Sequence, residues 1–295
     1  MEVFLTAIFA GIAVGAIYIV LGVGATVVYN ATRVFNLAQG DFLLVGVMAS
    51  YVALDVWKWG QIPSLIVVLL AVTATGLIEE RSVVRYFLAK QGSGGFGWFI
   101  STLGFSLVLE TVIAVAFGNR AIVTIPSPFP AGGVHLGNVV LGYQQLFVVG
   151  LCAALVVAVS LFYERTWLGR AMRGAAEDRE AASLLGINPI AVSRVAFAIS
   201  GVVCGLAAFA IAPLVFSDPT VGPSFTLKAF LALAIGGFGS IKGAVIGGLL
   251  IGIAEQLWSL YWAPNFDLFA GLLLLLIVLV VRPSGIFKST AVRTV

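Results

Sequence analysis

The sequence predicts an all-α, polytopic α-helical membrane protein with about eight to ten transmembrane helices, one of them a half-helix near 225–237. Three observations carry that prediction. Hydrophobic residues make up 61% of the chain and charged residues only 10%, whereas soluble domains run about 45–50% apolar and roughly 25% charged. The apolar runs are long enough to cross a hydrocarbon core of about 30 Å, which takes roughly 20 helical residues. They are continuously apolar rather than alternating, which argues for helices and against a membrane β-barrel. No linker or low-complexity segment divides residues 1–295, so they read as a single membrane domain.

The first run, Val3–Tyr29, follows Glu2 rather than a basic region and exceeds the 7–15 residues of a signal-peptide core, so it reads as a span. Further spans fall near 42–56, 62–79, 97–118, 145–163, 194–213, 225–237, 243–262 and 267–281. Basic residues orient the set, because Lys and Arg collect on the cytoplasmic side. With 30–41, 79–96, 163–194, 238–243 and 282–295 inside, thirteen of the sixteen basic residues are cytoplasmic, Lys90, Lys288 and Arg293 among them. Lys58, Arg120 and Lys228 remain on the other side. The expectation is an outside N-terminus and a cytoplasmic C-terminus.

Several chemistries are disfavoured. Cys152 and Cys204 lie within expected spans, where free cysteine behaves as a small hydrophobe. The single histidine, His135, sits in the outer loop Ala121–Gln144 among Pro126, Pro128 and Pro130, which is a poor start for a metal or catalytic site. The formal charge of +3 calls for no nucleic-acid partner. An intramembrane enzyme would need paired Asp, a His cluster or a Ser–His pair.

Against this apolar background, Glu164–Glu180 holds eight charged residues in seventeen positions. A short charged helix between spans lies in water beside the membrane, where it either rests on the bilayer surface or touches another protein. Residues Thr166–Gly186 read as one helix of good formers. Ala171, Ala175, Ala182 and Leu185 would form a small apolar patch, while Arg170, Arg173, Arg179, Glu177 and Glu180 form a solvated face. Gly186 is placed for a left-handed cap, with Pro189 beyond it. A second cluster, Ala234–Gly248, is rich in glycines at spacings that allow tight helix packing. Its lysine is not in the Walker order, so any ATP chemistry belongs to a separate subunit. A faint echo links Asn36–Asp41 with Gly239–Ala244, each a small-polar interruption at the end of a span.

Four separated motifs, in order along nearly the full length, resemble the bacterial high-affinity branched-chain amino-acid ABC importer permeases. They are Asn36-Leu-Ala-Gln-Gly-Asp41; the charged stretch Arg165–Pro189; the block from Leu227 through the GGFGSIKG string; and Val281-Arg-Pro-Ser-Gly-Ile-Phe287. Within that family the chain resembles the smaller, H-type permease subunit. The resemblance implies a bacterial inner-membrane transport subunit with no enzymatic activity and no cofactor of its own. It also implies a second permease, two ATP-binding subunits that hold ATP and Mg, and an extracytoplasmic solute-binding protein. Residues 165–189 are then the segment coupled to the ATPase, with Thr166, Gly169, Arg170, Arg173, Glu177, Asp178, Ala182 and Gly186 as its candidate residues. Relatives move branched-chain or other hydrophobic amino acids, urea or short amides, and aromatic acids.

Polar residues on apolar spans face protein or water rather than lipid. Asn36, Gln39, Gly40, Ser101, Thr102, Gly104 and Ser106 are therefore pathway candidates, each with interhelical bonding or packing as the alternative. Glu110 and Glu255 are expected intramembrane carboxylates. Glu110 is either paired within the bundle or in contact with solute; Glu255 is either structural or a proton relay. A stand-alone secondary transporter or solute channel is the competing function, and the charged cytoplasmic helix counts against it.

Overall fold

The computed structural model describes residues 2–86, 97–118, 125, 127–130, 132–136, 139–215, 221–262 and 266–287. Lys90, Arg120, Pro126, Lys288 and Arg293, and the side chains of His135, Arg179 and Glu180, lie outside the described residues. Eleven α-helices and one hairpin follow in order: α1 (Glu2–Thr32), α2 (Gln39–Tyr51), α3 (Gln61–Glu79), α4 (Gly97–Phe117), β1 (Gly133–Leu136), β2 (Val139–Gly142), α5 (Tyr143–Arg165), α6 (Trp167–Glu177), α7 (Arg179–Leu184), α8 (Pro189–Ile211), α9 (Val221–Gly236), α10 (Ile241–Tyr261) and α11 (Asp267–Val281). π-helical turns extend α2 through Val56 and α3 through Val84. Seven helices in the described residues are long and apolar enough to cross a membrane. α9 and α11 are shorter; the 16 residues of α9 make a rod of about 24 Å, as expected for the short segment near 225–237.

α1 is the centre of the bundle, packed on α2, α5, α6, α8, α9 and α10. Its closest partner is α10, because both helices present glycines at spacing four. A Cβ on Gly252 would stand 2.4 Å from the Gly15 Cα, and one on Gly11 would stand 2.7 Å from the Ile253 Cα. α3 and α8 cross in the same way, with Gly201 backed onto Thr73 and Gly76 onto Phe197. α9 turns into α10 through Gly237 and Gly239, both at positive φ, and Ser240 caps α10 by accepting from the Gly243 N–H at 3.0 Å. Residues 282–287 then fold back as a strap: Ile286 N–H donates to the Ile235 carbonyl and Phe287 N–H to that of Gly236, both at 2.9 Å. That strap satisfies carbonyls left open at the end of α9.

Two details depart from expectation. The expected outer loop contains the antiparallel β1–β2 hairpin, pairing Gly133 with Gly142 and Leu136 with Val139. The charged segment is two helices rather than one. Asp178 adopts an extended backbone and its carboxylate accepts from the Ala181 N–H at 3.0 Å, starting α7. An aspartate that can bond the backbone of the following turn favours a cap over a helix interior.

Gly252→Leu is expected to cost more than the roughly 1–3 kcal/mol typical of overpacking, since the obstacle is backbone. Thermal unfolding and yield of monodisperse protein check this, with Gly104→Ala as a silent control because a Cβ there meets nothing within 4 Å.

Candidate solute pathway and cytoplasmic helices

The helix break between α1 and α2 organises the interior. Arg33 turns the chain at φ 58°, and the stretch to Ala38 is non-helical yet sealed in protein. Such backbone needs partners of its own. Asn36 supplies one, its Oδ1 accepting from the Ala38 N–H at 2.8 Å, while its Nδ2 donates to the side chain of Glu79 at Oε2, 2.9 Å away. Gln39 Nε2 donates to Ser200 Oγ and to Cys204 Sγ, each at 3.1 Å, fixing the start of α2 to α8. Gly40 lets α2 touch α9, since a Cβ there would stand 2.1 Å from the Gly222 carbonyl, and its N–H donates to Thr226 Oγ1 at 2.8 Å.

Around this break lie three carboxylates that the sequence reading did not place in the interior: Asp41, Glu79 and Glu80, all essentially without solvent exposure. The first part of the expected cytoplasmic loop, through Tyr86, continues α3 as helix, burying Glu80 and Val84 while Arg81 and Ser82 are exposed. Glu80 lies 3.8 Å from Arg194, whose side chain is half exposed. The adjacent Glu79-Glu80 pair on the flank of a span is the available signal in the sequence.

A cavity of about 460 Å³ lies between α4 and α9, closed at one side by Leu37 of the break. α4 contributes Phe99, Leu103, Ser106, Leu107 and Glu110, and α9 contributes Pro223, Thr226, Leu227 and Phe230. Both sets recur at helical spacing, so one face of each helix lines it. Ser106 Oγ donates to Glu110 Oε1 at 3.2 Å, one turn along. Phe230 continues into an aromatic cluster with Phe35 and Phe238, ring centroids 5.3 and 5.7 Å away. Of the pathway candidates, Ser106 reaches the cavity, while Asn36, Gln39 and Gly40 build the buried break beside it. Ser101 and Thr102 instead bond carbonyls of their own helix, those of Gly97 and Trp98. Gly104 faces open space.

The second expected carboxylate, Glu255, is held far more tightly. Tyr18 Oη donates to its Oε2 at 2.6 Å, and Lys228 Nζ reaches the same oxygen at 3.1 Å. Lys228, counted with the non-cytoplasmic basic residues, is therefore a partner inside the bundle, joining α9 to α10 and α1. An unpaired carboxylate at this depth would be costly, which explains the displacement of a lysine from the surface.

On the expected cytoplasmic side, Thr166 Oγ1 caps α6 by accepting from the Gly169 N–H at 3.0 Å. Gly169 is buried where α6 folds onto the end of α5; a Cβ would stand 2.5 Å from the Phe162 carbonyl. Arg170, Arg173, Glu177, Asp178 and Gly186 are exposed, and Gly186 has the left-handed φ of 82°. Ala171, Ala175 and Ala182 do not form an outward patch with Leu185. They pack inward with Met172, while Leu184, Leu185 and Trp167 are outward, 89%, 82% and 68% exposed. The break at Asp178 reorients α7, so a single helical face does not carry all four positions.

The described fold is a polytopic α-helical bundle with a broken helix and a largely apolar cavity between two helices that carries a few polar groups. The sequence profile of the family described as branched-chain amino acid transport system, permease component, matches residues 7–279, and the chain belongs to that family. It is 30% identical to the high-affinity branched-chain amino acid transport system permease protein LivH of Escherichia coli K12, over 99% of this chain and 98% of that protein. It is 29% identical to the corresponding BraD of Pseudomonas aeruginosa, over 97% and 96%. A probable LivH of Methanocaldococcus jannaschii is 27% identical over 91% and 87%. Among solved structures, PsaBC from Streptococcus pneumoniae in complex with Fab shares the fold, with a TM-score of 0.52 and 13% identity over 96% of this chain and 93% of that one. The chain is thus a multi-pass permease component of a transport system.

Lys228→Met removes the cation 3.1 Å from buried Glu255 and is expected to destabilise the protein by about 3 kcal/mol. The double variant Lys228→Met/Glu255→Gln should recover most of the loss. Thermal unfolding of the three proteins in one detergent reads the coupling directly.

Proposed function

We propose that this chain is the membrane-spanning permease subunit of an ATP-driven importer for branched-chain or related hydrophobic amino acids. The observation that carries this reading is the match to branched-chain amino-acid permeases along nearly the whole chain and nearly the whole of each relative. The cavity between α4 and α9 supports it, being apolar over most of its lining with a few polar groups set into one face.

In this proposal the complex contains a second permease, two ATP-binding subunits and an extracytoplasmic solute-binding protein. ATP and Mg sit in the ATP-binding subunits; this chain has no Walker sequence to cradle phosphate. The N-terminus is outside and the C-terminus cytoplasmic. With Lys228 paired inside the bundle, only Lys58 and Arg120 remain as outer basic residues, which sharpens the asymmetry on which that orientation rests. Lys58 is exposed and pairs with Asp55 at 2.7 Å beside Trp57 and Trp59, a composition suited to an outer membrane interface. The solute-binding protein docks on that side.

Closure of the ATP-binding subunits is transmitted through α6 and α7. Their exposed Arg170, Arg173, Glu177 and Asp178 supply charge, and Trp167, Leu184 and Leu185 supply apolar anchors. Because α6 is seated on α5 and α1 through buried Gly169, Ala171, Met172 and Ala175, a push on it reaches the spans as a rigid-body load. Solute then passes by alternating access. The bond network around Glu255 disfavours a stand-alone carrier that would use this residue as a free proton relay.

The test is a gentle-detergent purification of the tagged chain expressed with its gene neighbours, then an ATPase assay in vesicles with the binding protein. Co-purified ATP-binding subunits and a second permease, with solute-stimulated hydrolysis, are expected; a chain that comes out alone and moves solute without ATP would overturn the reading. In the same assay Arg173→Ala/Glu177→Ala should lower stimulated hydrolysis about tenfold or more, the weight of an interface hot spot.

A further inference from the structure

The α4–α9 cavity has two kinds of wall. Phe99, Leu103, Leu107 and Leu227 are hydrocarbon surface, and Glu110 presents a carboxylate beside Ser106. Behind that face stands Asp41, fully buried, with Oδ1 against Gly222 and with Ser106 and the Glu110 carboxylate near it. Among the described residues neither oxygen of Asp41 meets a partner at full hydrogen-bond geometry, and the nearby Ser106 hydroxyl is the donor available to it. Lys228 sits on the same helix as Thr226 and Leu227 but is turned to Glu255 and Tyr18.

Buried carboxylates cost several kcal/mol unless a cation or several donors meet them. A fully buried Asp41 and a partly buried Glu110 near one serine gather acceptors that a positively charged group at this wall would meet. A bare metal ion fits poorly: no group of three metal-ligating side chains is found among the described residues, and most of the lining is apolar. An ammonium fits better, since its three donors need only a few acceptors and it can carry a hydrocarbon body into the remainder of the space. The volume, about 460 Å³, falls within the ~300–1,000 Å³ of small-molecule pockets.

We propose that this cavity is an ammonium-recognition site for an aliphatic solute. Glu110 accepts from the ammonium, Asp41 adds a second negative charge behind Ser106, and Leu103, Leu107 and Leu227 surround the hydrocarbon part. The inference deepens the reading of the chain as a permease for hydrophobic amino acids and rests on it. It makes the membrane subunit a second checkpoint for the amino group, separate from the selection performed by the binding protein.

The test uses the intact complex in nanodiscs without the binding protein, so that the binding protein's selectivity does not enter. Saturation-transfer NMR would compare leucine, isoamylamine (ammonium without carboxylate) and isocaproate (carboxylate without ammonium). Leucine and isoamylamine are expected to bind and displace one another, while isocaproate displaces neither. Glu110→Gln should weaken isoamylamine about tenfold or more, the effect of losing a charged hydrogen-bond partner, and Glu110→Asp should retain part of it. Isocaproate competing as well as isoamylamine on the wild-type complex would overturn the proposal without reference to any variant. So would a Glu110→Gln complex, correctly assembled, whose isoamylamine affinity stays within about twofold of wild type. Leucine uptake by the reconstituted complex separates the two claims. Wild-type vesicles that take up no leucine, yet bind isoamylamine in a Glu110-dependent way, would refute the amino-acid reading and support the ammonium site.

Discussion

Backbone that leaves its helix inside a membrane protein must find hydrogen bonds within the protein, and the rest of this structure depends on how the chain meets that demand between Arg33 and Gln39. Thr32 accepts from Val34 N–H, Asn36 from Ala38 N–H, and the Ala38 carbonyl accepts from both Asp41 and Phe42. Each partner has a second obligation. Asn36 also holds Glu79 of α3, Gln39 holds α8, and Gly40 holds α9. The break is thus the junction through which four helices are mutually positioned, and polar groups are drawn to the interior because of it.

Glycine provides the complementary constraint. α1 and α10, α3 and α8, and α9 and α10 meet backbone to backbone, so dispersion contacts and weak polar contacts replace the hydrophobic drive that lipid cannot supply. α4 stands apart from this tight packing. Only Thr102, Ser106 and Ile113 of its residues are buried, and the space between it and α9 is the cavity. A tightly packed group of helices bearing one loosely held helix at a largely apolar cavity is a physical basis for a part that moves against a part that does not.

Much of the fold was legible in the sequence because lipid leaves little choice: a continuous apolar run of sufficient length becomes a helix. The short α9 and the glycine-driven crossing of α10 followed from length and spacing. The interior charges were harder. Lys228 looked like a surface residue because hydropathy carries no information about a partner 27 positions away, and Glu79-Glu80 looked like the end of a span because two carboxylates usually mark one. Pairing across helices is a three-dimensional fact with no local signature. Residues Thr166–Gly186 misled for another reason. Their propensities favour helix throughout, yet the capping bond at Asp178 outweighs propensity at that one position and turns the alanine face inward. Ser106 and Glu110 were identifiable as polar residues in an apolar helix, whereas their facing partner Asp41 was visible only as part of a motif.

The central claim is that the α4–α9 cavity lies on the solute path and changes its access to water as the complex turns over. Ser106→Cys tests it most directly, because the native Cys152 and Cys204 are both buried and give little background. Labelling of that cysteine by a small water-soluble thiol reagent would be followed in the assembled complex, without nucleotide and with ATP trapped by vanadate. The account predicts rapid labelling in one state and protection in the other, with solute slowing the reaction in the accessible state. A cysteine that stays unreactive in both states, or reacts equally in both regardless of solute, would contradict it.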